Sequence, residues 1–215
     1  MASGPQIAGP RRPRMLVTGF GPFPGVPENP TEALVGALAC EPGFAGRAVF
    51  RFEVLPVEYE AVRPRLAMLG REFSPDIVVH FGVSARAVGF TLERIARNEI
   101  AAAKPDNRGA LPVGGPICAR AGDFSSTLPL DAIHEALTAR GLPVAWSDDA
   151  GGYLCNFLFY LSRSAECPGF APPMCGFIHV PPLEAEILTF HDLKAGAIAI
   201  IETCARVWSQ TAVSG

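Results

Sequence analysis

Charge is scarce in this chain of 215 residues: only 18% of it is Asp, Glu, Lys or Arg, and the formal net charge is −3. With a pI near 5.8 it carries no electrostatic footprint for nucleic acid, so no such partner is expected. Long apolar runs are missing too. Gly, Pro or a charge interrupts each one well before the roughly 20 residues of a membrane-spanning helix, so no membrane partner is expected. The opening segment MASGPQIAGPRRPR lacks the apolar stretch of about 7 to 15 residues that a secretory signal carries, and residues 1–13 are read as a disordered leader. The six cysteines contain no C-x-x-C pair, which removes the usual zinc and redox patterns, and the chain is too long to depend on disulfide staples. Reduced thiols and a cytoplasmic location are the expectation.

What is present is hydrophobic content, 49% of the residues, enough for one domain with a sizeable core. Strand and helix signals alternate. Met15, Leu16 and Val17 lead into a glycine- and phenylalanine-rich turn at 19–25. Asn29, Pro30 and Glu32 then supply an N-cap, a first-turn proline and a capping-box acid for a helix to about Cys40. A strand at 49–57 precedes helically spaced Tyr59, Val62, Leu66 and Leu69, and a β-branched strand ends in His80. Residues 90–95 read as an edge strand or hairpin arm, and 105–116 as a long loop. A helix at about 129–140, a strand at 143–147, a helix at about 152–163, a strand at 174–180 and a final helix marked by Leu193, Ala197, Ile200, Cys204 and Trp208 complete the chain. This order predicts an α/β fold: a single three-layer α/β/α domain over 14–210 with a mainly parallel, partly mixed central sheet.

In such sheets ligands bind beyond the carboxyl ends of the strands. Cys155 follows Gly151-Gly152 at the start of a helix, where free N–H groups and the helix dipole favour a thiolate and could stabilise an oxyanion. An apolar neighbourhood of Leu154, Phe157 and Leu158 equally suits a core cysteine. His179 ends a buried strand before two prolines and could act as base. It could also serve only its own loop, and His80 is a rival at another strand end. Glu93 could orient the histidine or pair with Arg94 or Arg97 in solvent. Phe20 and Phe23 could flank a flat ligand or simply pack their loop.

Six stretches occur in order: 18–23 (TGFGPF), 29–31 (NPT), 92–98 (LERIARN), 105–107 (PDN), 150–156 (AGGYLCN) and 176–181 (GFIHVP). Together they resemble the pyroglutamyl peptidase type I (pyrrolidone-carboxylate peptidase) family, over about residues 14–208. The resemblance implies a Cys-His-Glu triad at Cys155, His179 and Glu93. It implies removal of an N-terminal pyroglutamate from a peptide through a thioester, with no metal and no cofactor. Phe20, Phe23 and Tyr153 match positions flanking the lactam ring, and Asn29 joins them as a substrate-binding candidate beside its capping role. A homodimer or homotetramer is implied by the same resemblance. The pattern is broken in three places: Ala103, with Lys104 beside it, stands where an arginine is usual; Ala85-Arg86-Ala87 replaces Gly-Gly-Arg; and Asp148-Asp149 replaces Asn-Ser. These breaks leave open a thiol amidohydrolase with a shifted substrate, or a silent pyroglutamyl-binding homologue.

Overall fold

The computed structural model describes residues 11–44, 46–101, 104–119 and 122–211. In chain order its elements are β1 (Arg14–Phe20), α1 (Pro30–Ala39), β2 (Val49–Leu55), α2 (Tyr59–Phe73), β3 (Ile77–Val83), β4 (Phe90–Glu93), β5 (Ile95–Ala96), β6 (Phe124–Ser125), α3 (Leu130–Thr138), β7 (Val144–Ser147), α4 (Leu154–Arg163), β8 (Met174–Val180) and α5 (Phe190–Thr211). Six strands form one sheet in the order β2-β1-β3-β8-β4-β7, while β5 and β6 make a separate antiparallel pair. Every neighbour in the large sheet is parallel except β4 against β8, so the sheet is mainly parallel and mixed as expected.

The strands β1, β3 and β8 read as nearly unbroken apolar runs because helices cover both of their faces. On one face Leu34, Leu38, Ile133, Leu137, Leu193 and Ile200 bring α1, α3 and α5 onto Val17, Val79 and Ile178. On the other, Leu66, Leu69, Leu158 and Phe159 bring α2 and α4 onto Leu16, Val78 and Phe177. That second face also holds both strand histidines, His80 and His179. His80, Gly82, Phe177 and His179 all point to it, since side chains alternate along a strand.

The segment at 90–95 is no edge. β4 lies inside the sheet between β8 and β7, and Phe90 and Leu92 are fully buried; β7, with half-exposed Trp146, takes the edge instead. Of the expected leader, 1–10 lie outside the described residues. Arg11 pairs with Asp76 at 2.7 Å, and the Pro13 carbonyl accepts from the Val49 N–H at 2.9 Å.

Candidate active site

The loops after β1, β3, β7 and β8 enclose a cleft of about 600 Å³. Its first wall is the phenylalanine-rich turn. Phe23 and Val26 exchange backbone hydrogen bonds of 3.1 and 2.8 Å, and Gly25 closes the turn at φ 89°, where a side chain would be strained. Asn29 holds the wall from behind. Its Oδ1 accepts from the Thr31 N–H at 3.1 Å and from the Thr31 hydroxyl at 2.9 Å, and its Nδ2 donates to the Gly21 carbonyl at 3.0 Å. Asn29 is therefore a cap and a brace.

Phe20, Phe23, Asn29 and Tyr153 all line the cleft. The rings of Phe23 and Tyr153 lie 5.9 Å apart, Tyr59 meets Tyr153 edge-on, and the Tyr153 hydroxyl donates to the Pro105 carbonyl at 3.0 Å. Aromatic faces with the polar end of Tyr153 tied away suit a flat, uncharged ring.

Cys155 is the second residue of α4, because the helix starts at Leu154, two residues later than the expected start at Gly152. The N-cap Tyr153 offers no side-chain hydrogen bond, so the helix start has no side-chain cap from that residue. Before the helix Gly151 turns at φ 79°, and its N–H is held by Asp149 Oδ1 at 3.0 Å. Asp149 is in turn gripped by Arg86 at 3.3 Å and approached by Arg97 at 3.9 Å, while Asp148 pairs with Arg94. The two aspartates thus brace the turn that delivers Cys155, and they occupy the arginines that could otherwise have paired with Glu93.

His179 is the penultimate residue of β8 and is buried, with Cys155 half-buried beside it. Its Nδ1 lies 2.7 Å from Glu93 Oε1. A carboxylate can only accept, so Nδ1 carries the proton and Nε2 is the nitrogen left for the thiol. Burial alone would pull the imidazole pKa down. The adjacent Cys155 sulfur, through charge and hydrogen bonding, and then Glu93 outweigh it and raise the pKa to about 9. Among the described residues Glu93 Oε2 is buried and has no hydrogen-bond partner.

His80, the rival, takes no part. It is fully buried, its Nδ1 2.7 Å from the Thr18 hydroxyl and its Nε2 3.0 Å from the Ser162 hydroxyl, and burial pushes its pKa down to about 3. Ala103 lies outside the described residues, while Lys104 and Arg86 both line the cleft. All six thiols are free, and among the described residues no cluster of His, Cys, Asp and Glu could hold a metal ion.

Sequence reasoning overlooked Asn156 as a site residue. Fully buried beside Cys155, it donates to the carbonyls of Arg97 and Glu99 at 2.9 and 2.8 Å and accepts from the Arg97 N–H at 2.9 Å. With the Ala101 N–H donating to the Gly152 carbonyl at 2.9 Å, these bonds stitch 97–101 onto the start of α4. A polar residue next to the cysteine in an otherwise apolar helix face was the available signal.

A family model described as pyroglutamyl peptidase matches residues 13–210. A pyrrolidone-carboxylate peptidase from Pyrococcus furiosus is 39% identical over 176 residues, spanning 81% of this chain and 84% of the relative. Another, from Lactobacillus helveticus, is 32% identical over 200 residues, spanning 89% and 98%. A solved structure of a mutant pyrrolidone carboxyl peptidase from Pyrococcus furiosus superposes with a TM-score of 0.81 at 33% identity, covering 91% of this chain and 99% of that one. No helix among the described residues is long and apolar enough to cross a membrane. With the match extending over nearly its full length, the chain belongs to the pyroglutamyl peptidase family and is a cysteine peptidase.

Proposed function

We propose that the chain removes an N-terminal pyroglutamate from peptides, with Cys155 as nucleophile, His179 as general base and acid, and Glu93 as the group that orients and charges the imidazole. The observation that carries this reading is the buried His179–Glu93 hydrogen bond of 2.7 Å beside the Cys155 sulfur, at an uncapped helix start in an aromatic cleft.

The thiolate attacks the pyroglutamyl carbonyl, and the first-turn N–H groups of α4 receive the developing oxyanion. His179, holding the thiol proton on Nε2, gives it to the departing amine as the C–N bond breaks. Water then attacks the thioester, His179 takes its proton, and pyroglutamate leaves as the thiol is restored. Phe20, Phe23 and Tyr153 sort the substrate. A lactam ring has no ammonium group, so it enters an apolar aromatic slot at little desolvation cost, whereas an ordinary charged N-terminus does not. Thiolate chemistry and six free cysteines suit a reducing compartment such as the cytoplasm.

Release of a chromophore from a pyroglutamyl amide tests the reading. The wild-type protein should turn it over with reductant present, and Cys155→Ser should fold but lose about 10⁴-fold or more. No turnover by pure protein between about pH 6 and 9 would sink the proposal.

A further inference from the structure

Gly82 sits in β3 directly opposite His179 in the parallel β3–β8 register, on the face that α4 covers. Its backbone lies outside the left-handed region, so conformation does not demand glycine there. Space does. A Cβ on Gly82 would lie 2.6 and 2.8 Å from Cζ and Cε1 of Phe177 and 3.1 Å from the Cys155 sulfur. We infer that Gly82 is a positioning residue for the Cys155–His179 pair: the side chain it lacks leaves the room in which the Phe177 ring and the Cys155 sulfur are held against the imidazole.

The neighbours show what a substitution would displace. Phe177 is fully buried, with its ring 4.8 Å from that of His179, 6.1 Å from His80 and 6.2 Å from Phe159. A ring wedged on three sides yields little in a close-packed interior. The cysteine sulfur, in contrast, swings away by rotation about a single bond, χ1. Extra volume at 82 therefore strains the ring at 2.6 Å, which has little room to yield, and turns the sulfur at 3.1 Å away from Nε2. This inference rests on the reading of Cys155 and His179 as nucleophile and base.

Gly82→Ala is the test, read by kcat and KM on a pyroglutamyl amide, by the pH dependence of Cys155 alkylation with iodoacetamide, and by Tm. Turnover should fall at least tenfold in kcat with KM little changed, and alkylation should require higher pH. Gly196→Ala serves as the control, because its Cβ would meet the Phe90 ring at 2.2 Å on the opposite face of the sheet. It should lower Tm yet leave the alkylation profile alone. Adding Phe177→Leu to Gly82→Ala removes the ring clash and should restore Tm relative to Phe177→Leu alone, without restoring the alkylation profile. The double variant also carries the test if Gly82→Ala does not fold. Wild-type kcat and alkylation in Gly82→Ala, or their recovery together with Tm in the double variant, would overturn the role of Gly82. Turnover surviving in Cys155→Ser would instead overturn the reading beneath it.

Discussion

His179 and Glu93 meet across the one antiparallel pairing of the main sheet, and they meet diagonally. Thr91 is the direct partner of His179, whereas Glu93 lies opposite Phe177, yet Oε1 reaches Nδ1 at 2.7 Å. Diagonal neighbours in an antiparallel pair stand about 7–8 Å apart, a gap that a glutamate spans and an aspartate does not. Glu93→Asp should therefore lose the hydrogen bond although it keeps the charge. Glu93→Gln keeps the length but not the charge. Both should reduce kcat/KM by about 10²- to 10⁴-fold with the fold retained, as measured by turnover and circular dichroism. Near-wild-type activity in Glu93→Asp would mean that the diagonal geometry is immaterial.

The same pair sets an alkaline limit. In the proposed role His179 serves as acid only while protonated, and its pKa is raised to about 9 by Cys155 and Glu93 against the pull of burial. Activity should decline on an alkaline limb near pH 9, and in Glu93→Gln that limb should move down by about one pH unit or more. An unmoved limb would show that Glu93 does not charge the imidazole.

Stability should follow two histidines in opposite directions. The folded pKa of His179 is raised from 6.5 to about 9, so its contribution is complete below 6.5 and is lost as pH rises through 9. His80 is depressed from 6.5 to about 3, so folding loses stability as pH falls from 6.5 towards 3. Urea midpoints measured across this range should show both declines. Ser162→Ala removes the partner of the His80 Nε2 and should cost about 1–3 kcal/mol with kcat unchanged, since His80 lies apart from the reacting atoms.

Much of the architecture was readable because burial on both faces leaves a plain trace. The runs at Met15, Ile77 and Met174 are apolar and nearly unbroken, and those strands form, although β3 continues past the expected end at His80 to Val83. What could not be read was adjacency. Nothing local in Phe90-Thr91-Leu92-Glu93 says that it inserts beside β8, so it passed for an edge, and Glu93 could not be joined to His179 except by resemblance. Gly82 shows the same limit. A glycine inside a β-branched strand signals a close approach, but which atoms approach is a property of the assembled sheet and α4.

The aromatic slot should govern KM. Phe23 stands 5.9 Å from Tyr153 across the cleft mouth, and an aromatic contact of this kind contributes about 0.5–1.5 kcal/mol. Phe23→Ala should raise KM for a pyroglutamyl amide by about 2- to 12-fold while kcat changes less. A change confined to kcat would place Phe23 with the reacting groups and not with the ring.

Asn156 offers an ordering that size alone would not suggest. Its amide donates twice and accepts once, all to backbone between Arg97 and Glu99, from a buried position. Asn156→Ala leaves those groups without partners, at about 1–3 kcal/mol for a buried group so stranded. Asn156→Asp has nearly the native shape but cannot donate when ionised, and it faces two carbonyl oxygens with a buried negative charge. The aspartate variant should therefore be the less stable of the two at neutral pH. It should regain stability as pH falls, because a protonated carboxyl recovers one donor. Thermal unfolding of both variants at neutral and acid pH checks this. If Asn156→Asp proves the more stable at neutral pH, side-chain volume, and not the donor pattern, is what anchors 97–101 to the start of α4.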